Sequence, residues 1–97
     1  MIIVNANDKT KNEVKMKIIK YGSNHVVIEL TKDLEVLFSY STLVAGINKE
    51  GYFKTTTKWS VTTSRHINQY LEGVKAREVP QAYLDNMLRS IEVKINA

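Results

Sequence analysis

The sequence predicts an α+β fold, an antiparallel β-meander of about four to five strands followed by two helices packed on one face of the sheet. Three observations carry that expectation. Apolar residues alternate with polar ones through the stretch 14–60, the signature of half-buried strands. Turn-forming clusters separate the alternating runs. Beyond residue 61 the apolar spacing changes to i, i+3, i+4, i+7, the stripe of an amphipathic helix.

Each element follows in order. Residues 1–12, rich in Asn, Lys and Asp, have the composition of a mobile arm ahead of the sheet, which is expected over 13–60. Val14, Met16 and Ile18 alternate with Lys15 and Lys17, a first strand. Tyr21-Gly22-Ser23-Asn24 is turn chemistry, and Val26, Ile28 and Leu30 line one face of the next strand. After the turn Thr31-Lys32-Asp33 come Leu34, Val36, Phe38 and Tyr40. Ser41 to Ile47 stays strand-like, and its small residues, with Ser39 before them, suit close strand packing. Asn48-Lys49-Glu50-Gly51 makes a hairpin loop in which Gly51 can take positive φ. The returning strand is expected from Tyr52 to Ser60, with Phe53, Thr55, Thr57 and Trp59 on one face.

The part 61–97 is expected to be helical. Ile67, Tyr70, Leu71 and Val74 form one helical stripe, with Thr62, Thr63 or Ser64 as its cap and Gly73 near its end. Pro80 suits the first turn of a second helix, whose buried stripe is Tyr83, Leu84, Met87, Leu88 and Ile91. The tail Val93-Lys94-Ile95 either extends that helix or adds an edge strand.

Composition narrows the function. The 97 residues, 43% hydrophobic and 25% charged, fit one soluble domain over 1–97. No apolar run reaches the ~18 residues that span a bilayer, and the opening Met1-Ile2-Ile3-Val4 is too short for a signal-peptide core, so a cytoplasmic setting is expected. With zero cysteines, disulfides and thiolate metal sites are out. His25 and His66 lie far apart in sequence, so neither a metal nor another cofactor is expected. The net charge of +4 excludes an acidic DNA mimic and permits attraction to nucleic acid. No acid occurs between Glu50 and Glu72, whereas Lys54, Lys58 and Arg65 do.

The richest stretch runs from Lys58 to Ile67. A helix start offers free N–H groups and a partial positive charge, and here hydroxyls from Thr62, Thr63 and Ser64 sit beside Arg65 and His66. Lys54, Lys58, Thr62, Thr63, Ser64, Arg65 and His66 are therefore the candidate anion- or partner-binding residues. The competing reading is an ordinary N-cap with no ligand. Tyr52 and Trp59, interleaved with lysines, are candidate aromatic contacts for a nucleic-acid base; alternatively a lone tryptophan on a strand anchors the core. His66 has no adjacent acid to orient it, and neither Ser60 nor Ser64 sits in a strained nucleophile elbow. The chain reads as a non-enzyme.

Two segments, Ser39-Tyr40-Ser41-Thr42-Leu43-Val44-Ala45 and Trp59-Ser60-Val61-Thr62-Thr63-Ser64-Arg65-His66-Ile67-Asn68, together resemble a family of small uncharacterised bacteriophage and prophage proteins. The resemblance implies a phage or mobile-element setting in a bacterial host cytoplasm. There a small protein that binds a host protein or nucleoprotein complex, as an inhibitor of a bacterial defence complex such as a CRISPR effector, is the leading expectation. Direct binding of nucleic acid or a nucleotide through Thr62–His66 is the alternative. A third is a structural homodimer formed through an exposed sheet edge.

Overall fold

A computed structural model describes residues 16–96, with the side chains of residues 16–90. The elements in chain order are β1 (Lys17–Tyr21), β2 (His25–Thr31), β3 (Leu34–Ser39), β4 (Thr42–Asn48), β5 (Gly51–Thr55), α1 (Val61–Leu71), β6 (Arg77–Val79) and α2 (Gln81–Asn96). The first five strands pair in sequence order as an antiparallel meander. The architecture is α+β, as the sequence predicts, with three corrections.

The described strands number six rather than four or five, and the sixth runs parallel to β5 in the register Phe53↔Arg77, Lys54↔Glu78, Thr55↔Val79. Parallel neighbours require a crossover, and α1 supplies it. The part beyond residue 61 is thus not wholly helical. Three residues are too few to display a period, and two of these, Arg77 and Glu78, are exposed charges, so the strand left no pattern to read.

The helices lie on opposite faces of the sheet rather than on one. Ile28, Leu30, Val36, Leu43, Phe53 and Val79 form a core with Leu84 of α2, joined by Tyr83, Met87 and Leu88. Val27, Leu37, Val44 and Ala45 form a second core with Ile67 and Leu71 of α1. Alternation along each strand splits its side chains between the two layers, Val27 from Ile28 and Leu37 from Val36. An irregularity in β3–β4 pairing, where Leu37 opposes Ala45 and Phe38 opposes Leu43, leaves Val44 as an extra residue and lets Val44 and Ala45 both face α1. A sheet apolar on both faces must be covered on both, which the strict alternation seen in the sequence obscured.

The strand after the hairpin also stops early, at Thr55. The Thr55 hydroxyl accepts from the Thr57 N–H at 3.0 Å, turning the chain out of the sheet, and 56–60 become a loop. Helix α1 ends on Glu72 and Gly73 in left-handed conformation (φ 49° and 84°), which leaves Val74 exposed instead of on the buried stripe. Gly46 of β4 has a packing reason. A Cβ there would lie 2.7 Å from the Phe53 ring and would clash with the Glu35 carbonyl, so only glycine lets Phe53 cross it. The tail continues α2 as helix through Asn96. The arm 1–12 and Val14 lie outside the described residues. Among the described residues no helix is long and apolar enough to cross a membrane.

Candidate functional site

The start of α1 is capped by Ser60, not by Thr62, Thr63 or Ser64. Ser60 is extended (φ −166°, ψ 167°), and its hydroxyl accepts from the Thr63 N–H at 3.0 Å. Shifting the cap back by at least two residues changes what each candidate does. At 100° per residue, Thr63, His66, Ile67, Tyr70 and Leu71 fall on one side of α1, and all face the sheet. Ser64 and Arg65 turn outward and line a shallow concavity with Val61, Asn68 and Gln69. Thr62 is half-buried between the two sides.

Inward, the helix meets a chain of polar groups. Ser39 at the end of β3 is only 1% exposed; its Oγ lies 2.9 Å from Thr63 Oγ1 and 2.7 Å from His66 Nδ1. The Ser60 hydroxyl in turn donates to Thr63 Oγ1 at 3.2 Å. His25, cross-strand neighbour of Ser39, stacks at a tilt on His66 with ring centroids 4.6 Å apart. Burial holds the His66 pKa below its ordinary value of 6.5, and the nearby charges of His25 and Arg65 push the same way. His66 is therefore a neutral, buried positioning group. A Ser–His contact of 2.7 Å resembles a nucleophile–base pair, yet Ser39 is sealed from solvent, so the contact joins α1 to the sheet. Among the described residues, His25 Nδ1 is the one buried side-chain polar atom left without a hydrogen-bond partner.

Further along α1, the Tyr70 hydroxyl donates to Glu35 Oε2 at 2.7 Å and its ring meets Tyr52 edge-on at 5.9 Å. Burial first, then the Glu35 carboxylate, raise the Tyr70 pKa well above its ordinary value. Tyr52 is thereby packed into the α1 layer, away from the helix start.

Trp59 behaves differently from the core anchor that a lone tryptophan suggests. It is 50% exposed, and its indole N–H donates to Gln81 Oε1 at 3.3 Å. Gln81, the first residue of α2, also accepts from Thr55 Oγ1 at 2.8 Å and donates to the Leu43 carbonyl at 3.0 Å. One side chain thus ties the 56–60 loop to β4, β5 and α2. Beside Trp59 opens a cleft of about 330 Å³ lined by Ser39, Tyr40, Thr42, Trp59, Ser60 and Thr63.

Of the sequence candidates, the structure brings Lys58, Trp59, Ser64 and Arg65 to the solvent-facing start of α1 and turns Thr63 and His66 inward. Lys54 stands half-buried in β5, opposite Ala45 and Glu78, and lines neither concavity beside the helix start. The sequence gives no sign of Gln81, sets His25 and Ser60 aside as metal ligand and nucleophile, and offers Tyr40 and Ser39 only strand and packing roles. A signal for Ser39 existed: it shares a face with Leu37, so a serine there is polar in a buried row. Extending the Ile67 stripe back by one and four residues would also have placed His66 and Thr63 against it.

A family model, described as a family of unknown function (DUF8033), matches residues 5–86, so the chain belongs to that family. No curated protein and no solved structure matches it.

Proposed function

We propose that this member of DUF8033 is a non-enzymatic binding protein that takes an anionic ligand, a nucleic acid or a nucleotide, on the solvent-facing start of α1. The observation that carries this reading is the makeup of that surface. Lys58, Trp59, Ser60, Val61, Ser64 and Arg65 are all exposed, and the first turn of α1 contains no acid. The Val61 and Thr62 N–H groups have no intrahelical acceptor by construction, so the positive end of the helix is left open on a stretch that carries Lys58 before it and Arg65 after it, both exposed. Phosphate contacts would come from Lys58, Arg65 and these N–H groups. Fluorescence anisotropy of a labelled oligonucleotide at low and physiological salt tests this. Affinity should fall steeply with salt and weaken in Arg65→Ala; salt-independent affinity or no binding at low salt overturns the reading.

A second reading, docking on a host protein as a phage-borne inhibitor of a bacterial defence complex, draws on a different observation. Edge strand β1 is exposed on all five residues; among the described residues only β2 pairs with it, and Met16, Ile18, Ile19 and Tyr21 are exposed apolar groups. Such an edge suits β-augmentation by a partner strand or by a second copy of the chain. Co-purification from bacterial lysate should then recover a stoichiometric partner that a Tyr21→Lys variant loses, while light scattering separates that outcome from a homodimer.

A further inference from the structure

We propose that the cleft lined by Trp59 and Tyr40 holds a single unpaired nucleobase, stacked on the indole, so that the ligand of the α1 surface is recognised by its base as well as its phosphate. The inference rests on the anionic-ligand reading above and names the ligand chemistry more narrowly.

Three features of the cleft carry it. First, Trp59 is half exposed yet oriented: the Gln81 carbonyl oxygen holds its N–H, and Gln81 is itself fixed to β4 and β5. An indole held in place in contact with water is a preformed stacking platform, since little rotamer freedom is left to lose on binding. Second, Tyr40 also lines the cleft, 54% exposed, with its ring centroid 6.1 Å from that of His66 and its backbone in left-handed conformation at φ 57°. It is the first of the two turn residues joining β3 to β4, a place where hairpins favour glycine. A bulky residue there strains the backbone, and its amide is tied to the Asn24 carbonyl at 2.6 Å. The strained backbone puts an aromatic ring at the cleft where a relaxed glycine would put none. Third, the lining contains no charged side chain. Thr42, half-buried, and Ser60, exposed, offer hydroxyls, the Ser39 and Thr63 hydroxyls being engaged beneath them, and hydroxyls suit the donor and acceptor edges of an uncharged heteroaromatic ring better than a phosphate. The phosphate is met outside, at Lys58 and the N–H groups of the helix start. At about 330 Å³ the cleft lies at the small end of ligand sites, the size for one base rather than a base pair.

Trp59 is the sole tryptophan of the chain, so its fluorescence reports the cleft directly. The test titrates the intact protein with a roughly ten-nucleotide single strand, an abasic strand of equal length, the duplex, and a nucleoside monophosphate. The proposal expects quenching by the single strand and about ten-fold weaker binding of the abasic strand and of the duplex. Saturation by the monophosphate identifies a free nucleotide as the source, and its failure alongside strand binding identifies a strand; either supports base capture. Abasic and normal strands binding equally, with unchanged fluorescence, overturn base capture while leaving the anionic reading intact. No binding by any of them overturns both. Tyr40→Gly accepts the same positive φ without strain: thermal stability should rise as that strain is relieved, while affinity for the single strand falls several-fold. Unchanged affinity in Tyr40→Gly removes Tyr40 from the site and with it the proposal.

Discussion

The two faces of the sheet are held by different physics. Beneath α2 the sealed contacts are apolar, with polar ties at Gln81, its first residue, and at the Tyr83 hydroxyl, which accepts from Asn48: Phe53, Leu43, Val36 and Leu84 are essentially sealed, and Phe53 lies edge-on to Tyr83 over Gly46. Beneath α1 the apolar patch of Val27, Leu37, Val44, Ala45, Ile67 and Leu71 is bracketed by polar groups, with Ser39–Thr63–His66 at one end and Tyr70–Glu35 at the other. Apolar burial is non-directional and grows with area, whereas buried hydrogen bonds fix one geometry and penalise every other. The α2 face is therefore expected to supply more of the stability, and the α1 face more of the register. The proposed ligand surface is at the α1 end because a helix located by hydrogen bonds presents its first turn in one position.

The comparison breaks first, and by the largest margin, at Phe53. Phe53→Ala removes a sealed ring above a glycine that cannot move in to replace it, so a loss of about 3–5 kcal/mol is expected in denaturant unfolding. A loss below about 1 kcal/mol would place the main core elsewhere. Ser39→Ala comes next. It strips partners from both Thr63 Oγ1 and His66 Nδ1 without opening a large cavity, for an expected cost of about 1–3 kcal/mol. Hydrogen exchange separates the two variants further, since Ser39→Ala should speed exchange in α1 while α2 stays protected.

Much of this contrast was legible in the sequence and some was not. Period-two alternation located β2, β3 and β4, and the 3.6 spacing located α1 and α2, because both patterns come from local geometry. Whether the two helices share a face is a property of the crossover through β6. That strand was hidden because Arg77-Glu78-Val79 is short, charged and stopped by Pro80. The hydroxyl cluster is visible in the sequence, but the cap lies ahead of it; Ser60 serves because Thr55 bends the chain out of the sheet five residues earlier, a tertiary event. Tyr40 carried no signal at all, since a tyrosine in an alternating run reads as one more strand residue and its positive φ is invisible without coordinates.

The polar face also makes stability depend on pH from both sides. His66 is held below its ordinary 6.5, so the unfolded chain binds the proton more readily; stability is full above pH 6.5 and declines as pH falls below it. Tyr70 is held above its ordinary 10.0, so the unfolded chain loses its proton first and stability declines as pH rises past 10. Chemical denaturation across pH should show a plateau between these limits. His66→Phe should flatten the acid limb and Tyr70→Phe the alkaline one, each leaving the other limb in place. Two limbs unchanged by these substitutions would mean that other groups set the profile and that the face is less directional than its hydrogen bonds suggest.

The smallest effect on stability is expected where the effect on binding is large. Ser60→Asp keeps a good N-cap, because a carboxylate oxygen can accept the Thr63 N–H in place of the hydroxyl and its charge suits the positive end of α1. It loses the hydroxyl that donates to Thr63 Oγ1 at 3.2 Å. These changes oppose one another, so net stability should move by no more than about 0.5 kcal/mol. The same carboxylate occupies the place offered to a phosphate and repels it, so affinity for an oligonucleotide should fall by about ten-fold at low salt and recover partly as salt screens the repulsion. Ser60→Asn, which keeps the cap and loses the same cleft hydroxyl without adding charge, is the matched control and should bind more tightly than Ser60→Asp at low salt. Equal binding by the Asp and Asn variants would move the anion away from the helix start and leave the α1 face with a purely architectural role.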